Sequence, residues 1–102
     1  DSGVDAKATN KYGFSALMLA ALYGYDELVE LLLPFSDVKA TDKSGSSALM
    51  WAAGFGNDKV VELLLPFSDV KSTNNDGNTV LDIAKRYGKN RVVRLLQYSI
   101  FG

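Results

Sequence analysis

Apolar residues in this chain fall into paired short blocks, each pair split by a glycine and followed by a polar stretch. The first blocks, Ala16 to Tyr23, Ala48 to Phe55 and Val80 to Tyr87, read as short helices. Ser15, Ser47 and Thr79 stand just before them as N-cap hydroxyls, and Gly24, Gly56 and Gly88 follow where a helix end favours a left-handed residue. Second helices are predicted from Asp26-Glu27, Asp58 and Asn90, acidic or amide starts that suit the positive end of the helix dipole. They run through Leu28-Val29, Leu31-Leu32 and their equivalents. Pro34 and Pro66 stop two of them, and because proline disfavours the α region for the residue before it, those helices should end near Leu33 and Leu65.

The blocks belong to an internal repeat. Pro-Phe-Ser-Asp occurs at 34 to 37 and again at 66 to 69, and laying Asp5 to Ser36 over Asp37 to Ser68 matches 22 of 32 positions. The stretch from Asp69 to Ile100 continues the frame more loosely. Each unit opens with Asp-x-Lys-x-Thr, then an Asx residue (Asn10, Asp42, Asn74), two residues and a glycine (Gly13, Gly45, Gly77). An Asx side chain bonds the backbone two residues on and glycine supplies a positive φ, so each unit should begin with a hairpin-like tip.

A unit of tip, short helix, glycine, second helix and loop resembles the ankyrin repeat family, over nearly the whole chain. The residues that carry the resemblance in the first unit are Gly13, Leu17, Ala20-Ala21, Gly24, Val29 and Leu31-Leu32. The family's Thr-Pro-Leu-His helix opening is replaced by Ser15-Ala16-Leu17-Met18, Ser47-Ala48-Leu49-Met50 and Thr79-Val80-Leu81-Asp82, so its proline and histidine are absent. The family loop is one residue shorter here and filled by Pro-Phe-Ser, which predicts that Phe35 and Phe67 plug between adjacent units. The resemblance implies an all-α solenoid, one ankyrin-repeat domain over 1–102 with repeats at about 5–36, 37–68 and 69–100. It also implies a non-catalytic protein-binding role through the concave side. Family members are hydroxylated on an asparagine before the tip; Lys7, Lys39 and Lys71 stand there, so that modification is not expected.

The two ends of the array differ. Met18 and Met50 become Asp82, Ala21 and Ala53 become Lys85, and Leu33 and Leu65 become Gln97, the polar outer face of a C-terminal cap. Tyr98, Ile100 and Phe101 should then fold back or fray. The first unit has no such substitutions, and Gly3-Val4-Asp5 resembles the loop that closes a preceding repeat. The expectation is an array that continues upstream, with an apolar face near the N-terminus. A monomer is expected, self-associating through that face at high concentration.

Composition narrows the chemistry. There is no cysteine and no histidine, which removes disulfides, thiolate nucleophiles, the commonest general base and the commonest metal ligand. The carboxylates are scattered over tips and helix starts, and Gly54-Phe55-Gly56 lacks the strand, spacing and lysine of a phosphate loop. Neither enzyme activity nor a cofactor nor a metal is expected. A net charge of −1 argues against nucleic acid as partner. The longest apolar run, Ala16 to Tyr25, is too short to cross a bilayer, no secretory leader pattern is visible, and an intracellular, cytoplasmic setting is expected. Charge is uneven: residues 1 to 36 sum to −3 and residues 69 to 102 to +3. The basic residues Lys85, Arg86, Lys89, Arg91 and Arg94 read first as a solvated cap, and second as an electrostatic contact site.

Variation between units concentrates on the tips and one side of the first helices. Lys11, Tyr12 and Phe14 become Lys43, Ser44 and Ser46, then Asn75, Asp76 and Asn78; Leu22-Tyr23 becomes Gly54-Phe55, then Arg86-Tyr87. Tyr12, Phe14, Tyr23, Phe55 and Tyr87 are therefore expected to line a shared aromatic groove, open beside Gly54, with Lys11, Lys43 and Asp76 setting orientation. Rigid aromatics are good binding anchors. The competing view is that they only pack along their own helices. Trp51 replaces Leu19 and Ile83 and is expected in the core, the alternative being that its edge reaches the groove. The alternative for the segment as a whole is a structural spacer in a longer array with partner contacts upstream.

Overall fold

The structure is a computed structural model and describes residues 8–101. Residues 1–7, which include Gly3-Val4-Asp5 and Lys7, lie outside the described part, as does residue 102. Six α-helices occur among the described residues: α1 (Ala16–Tyr23), α2 (Asp26–Leu32), α3 (Ala48–Gly54), α4 (Asp58–Leu64), α5 (Val80–Arg86) and α6 (Asn90–Phe101). α1, α3 and α5 pack one on the next, α2, α4 and α6 form a second row, and each first helix packs on its own second helix. The all-α reading holds; the extended elements described are isolated bridges, Thr9 with Ser15 and Thr41 with Ser47, at the base of the first two tips.

The starts of the first helices are set by their caps. Ser15, Ser47 and Thr79 each accept from the backbone N–H three residues on, and Asp82 returns the bond to Thr79 N–H in a full capping box. α3 and α5 end one residue earlier than the sequence suggests, at Gly54 and Arg86. The second helices depart in how they end. Leu33 (φ −51°, ψ −48°) and Leu65 stay in the right-handed helical region, although each precedes a proline. The chain tightens instead into a 3₁₀ turn, Leu33–Phe35 and Leu65–Phe67, whose first turn needs no proline N–H. Ser36 Oγ donates to Leu32 O at 2.6 Å and Ser68 Oγ to Leu64 O at 2.7 Å, closing these turns. This geometry overturns the plug role foreseen for Phe35 and Phe67. Both rings are exposed (Phe35 66%), because the turn directs half-buried Leu33 and Leu65 inward in their place. Tyr98 stands where Pro34 and Pro66 stand in the other units, so nothing stops α6, which continues through Ile100 to Phe101 rather than fraying or folding back.

The core is a single stack of small and branched residues. Leu17 and Leu49 are buried at one position of the first helices, and Ala20, Ala52 and Ala84 at another. Val29, Val60, Val61, Leu64, Val92 and Leu96 fill the second row. Alanine at the crossing positions lets helices approach closely, and each buried leucine contributes about 1.5–3 kcal/mol by removal from water. Residues that pack toward the C-terminal neighbour in the first two units are buried (Met18, Met50, Ala21, Ala53) or half-buried (Leu33, Leu65), whereas Asp82, Lys85 and Gln97 at those places in the third unit are exposed. At the other end the positions facing an N-terminal neighbour remain apolar. Val60 is fully buried but its counterpart Leu28 is 42% exposed, and Leu31 is 70% exposed where Leu63 is half-buried.

Candidate functional site

Each tip is organised by its Asx residue. Asn10 Oδ1 accepts from Tyr12 N and Phe14 N, Asp42 Oδ1 from Ser44 N and Ser46 N, and Asn74 Oδ1 from Asp76 N and Asn78 N, all at 2.9–3.1 Å. Successive tips are then tied together. Lys43 N donates to Tyr12 O at 3.2 Å, Asn75 N to Ser44 O at 2.9 Å, and Asn75 Nδ2 to Lys43 O at 2.9 Å. Gly45 has φ +79°, and a Cβ there would lie 2.5 Å from Asn75 Oδ1, so only glycine lets these tips meet. The tips form one continuous rim.

Aromatic side chains line the inner side of that rim. Tyr12 and Phe14 have ring centroids 6.2 Å apart, Phe14 meets Trp51 edge-on at 5.4 Å, and Trp51 lies 6.3 Å from Phe55. Lys11 Nζ sits 5.1 Å from the Tyr12 ring centroid. Tyr23 belongs to a different pair: it stacks on Tyr25 at 5.7 Å. Leu22 is half-buried, and its carbonyl accepts from Asn57 Nδ2 at 3.0 Å.

Trp51 is the main departure from the sequence reading. It is half-buried in this row rather than in the core, because its indole N–H donates to Asp42 Oδ2 at 2.8 Å and anchors the ring to the tip. Asp42 is 7% exposed and takes four hydrogen bonds, from Ser44 N, Ser44 Oγ, Ser46 N and Trp51 Nε1. Burial pushes its carboxyl up, but the hydrogen bonds from Ser44, Ser46 and Trp51 together outweigh that and hold it below the usual carboxylate value. Ser44 and Ser46 thus use their polar groups inside the tip, their hydroxyls 2.9 Å apart.

Beside this row a cleft of about 580 Å³ opens between the second and third units. Trp51, Gly54, Phe55, Ile83 and Tyr87 line its apolar part; Ser46, Asn74, Asp76 and Asn78 line the tip end; Arg86 and Lys89 line the opposite end. The sequence pointed to the opening beside Gly54 and to Phe55, Asp76, Asn78 and Tyr87, which the cleft brings together. It placed Trp51 in the core with only its edge reaching the groove, and it missed Arg86 and Lys89 as members because a basic cap reads as a solvated surface. Gly54, standing where Leu22 and Arg86 stand in the other units, was the signal for the space.

No group of acidic side chains placed to hold a metal ion occurs among the described residues. No described helix is long and apolar enough to cross a membrane. A family model described as ankyrin repeats, in three copies, matches residues 17–101. No curated protein matches the chain.

Proposed function

The chain belongs to the ankyrin repeat family, whose repeats generally mediate protein–protein interaction, and from that premise we propose a non-catalytic module that binds a partner protein along the tip side. The row Tyr12, Phe14, Trp51 and Phe55, running from the first tip across the second unit, is the observation that carries this reading. Aromatic rings held by neighbours bury large area at small rotamer cost, the property of interface anchors. Tyr12 and Phe55 within it and Tyr87 nearby remain exposed, more ring surface than a solvated face requires.

The contacts assigned to the partner are the exposed aromatics Tyr12, Phe55 and Tyr87, with Lys11, Lys43 and Asp76 setting orientation at the rim. Tyr23 and Leu22 extend the surface toward the first unit. Phe14 and Trp51 act as the packed base of the row. The test is affinity capture from a lysate of the source cell, comparing the chain with a Tyr12→Ser, Phe55→Ser, Tyr87→Ser variant whose helicity is unchanged. Prey retained by the unaltered chain and lost by the variant support the reading; identical prey overturn it.

A second reading, a spacer within a longer array whose partner contacts lie elsewhere, draws on the exposed Leu28 and Leu31. It predicts unchanged prey in the capture experiment, together with self-association that Leu31→Glu abolishes.

A further inference from the structure

We propose that the cleft between the second and third units takes a peptide segment presenting a large apolar side chain with a carboxylate beside it. This deepens the tip-side reading and rests on it. Three observations carry it.

The first is the shape of the apolar part. Gly54 supplies no side chain where Leu22 and Arg86 stand in the other units, and a Cβ built there would already lie 3.3 Å from Ile83 Cγ2 and 4.0 Å from Tyr87 Cδ2. The space against Trp51, Phe55 and Tyr87 therefore exists because position 54 is bare. Its volume of about 580 Å³ accommodates a leucine- to tryptophan-sized side chain together with the backbone that delivers it.

The second is continuity. Trp51 and Phe55 line the cleft and also continue the aromatic row from Tyr12 and Phe14. An extended chain lying on that row reaches the cleft without a turn, which favours a peptide over a compact small molecule.

The third is charge. Arg86 and Lys89 stand at one end of the cleft, and the ion pair found among the described residues, Arg91 with Asp58 at 3.4 Å, involves neither of them. The Lys89 stem lies along Gly56, 3.0 Å from a Cβ built there, which leaves its ammonium free at the rim. A guanidinium and an ammonium lining the same cleft favour a carboxylate. Asp76, the carboxylate lining the cleft, sits at the opposite, tip end with Asn74 and Asn78. The cleft is polarised, and an acidic group on the peptide is favoured only on the α5–α6 side.

The experiment selects a displayed library of short random peptides on the full chain and on an Arg86→Glu/Lys89→Glu variant of unchanged helicity. Selected peptides are then titrated while the emission of Trp51, the one tryptophan, is followed. The proposal expects enrichment of Phe, Leu or Trp next to Asp or Glu, a change in Trp51 emission on binding, and affinity about tenfold weaker or worse for the charge-reversed variant. Peptides that alter Trp51 emission but show no acidic preference, or that bind both proteins equally, overturn the proposal and leave the tip-side reading standing. Enriched peptides that leave Trp51 emission unchanged and survive Tyr12→Ser, Phe55→Ser, Tyr87→Ser overturn both; no enrichment at all overturns the proposal and leaves the tip-side reading to the capture experiment.

Discussion

The indole N–H of Trp51 donates to Oδ2 of Asp42 at 2.8 Å, linking the second tip to the helix behind it. The same carboxylate, through Oδ1, orders the tip itself by accepting from Ser44 and Ser46. One side chain therefore sets both the rim and the aromatic base of the candidate site. Asp42→Asn separates the two roles, because an amide keeps one acceptor for the tip but presents a donor to the indole N–H. The expected cost is about 1–3 kcal/mol, that of leaving a half-buried donor unpaired. Urea unfolding should show a lower midpoint at unchanged slope. Trp51→Phe in the Asp42→Asn background should then cost less than Trp51→Phe alone; equal costs would mean that the two residues are uncoupled.

Acid should reveal the same bond. The folded state holds the Asp42 carboxyl below its ordinary value near 4, so the unfolded chain binds that proton more readily. The stability Asp42 supplies is then present above the ordinary aspartate pKa and is lost as pH falls through the lower folded value. Asp82, held down by the Thr79 backbone and hydroxyl, adds to the same acid limb. The stability difference between the unaltered chain and Asp42→Asn should be constant from pH 7 to about pH 5 and shrink toward pH 2. A difference that does not vary with pH would show that Asp42 titrates alike in both states.

Most of the fold was legible because the repeat states each position three times. Ser15, Ser47 and Thr79 announced helix starts that their hydroxyls make, and Asn10, Asp42 and Asn74 announced the tips. What repetition could not convey was the direction of a side chain at a substituted position. Trp51 occupies the position of Leu19 and Ile83, yet its size and its N–H carry it toward Asp42, a hydrogen bond that no apolar periodicity encodes. The shortened Pro-Phe-Ser loop predicts Phe35 and Phe67 as plugs between units, but the 3₁₀ turn, fixed by Ser36 and Ser68, spends the inward direction on Leu33 and Leu65. The run of α6 to Phe101 followed from a residue that is missing, the proline that Tyr98 replaces, and that comparison was available in the sequence.

Asn57 couples the first unit to the second. Its Nδ2 donates to Ala21 O at 2.8 Å and to Leu22 O at 3.0 Å, so the second unit caps the C-terminal carbonyls of α1. Tyr25 and Lys89, at the equivalent places, lack that amide. Asn57→Ala should cost about 1 kcal/mol and should loosen the first unit selectively. Amide hydrogen exchange would then accelerate in Ala16–Tyr23 while that of α5 is unchanged. Uniform acceleration across all three units would show that the array opens only as a whole.

Two leucines on second helices, Leu64 and Leu31, give the clearest test of how stability is distributed. Leu64 is fully buried in the second row, where it packs beneath its neighbours, whereas Leu31 is 70% exposed. Both lie in second helices of nearly identical sequence, so intrinsic helix propensity cancels between them and packing alone decides the outcome. Leu64→Ala removes buried methyls and leaves a cavity, at about 2–5 kcal/mol, as does Leu49→Ala. Leu31→Ala should cost under about 0.5 kcal/mol. The three units of this chain share two inter-unit interfaces, each contributing to its neighbours alone, so in this chain a loss of the first size unfolds a large fraction at room temperature. Circular dichroism melts at one concentration should lose their cooperative transition for Leu64→Ala and Leu49→Ala and keep it for Leu31→Ala. A Leu31→Ala cost approaching that of Leu64→Ala, and growing with protein concentration, would instead reveal that the exposed leucine face is covered by a second copy of the chain in solution.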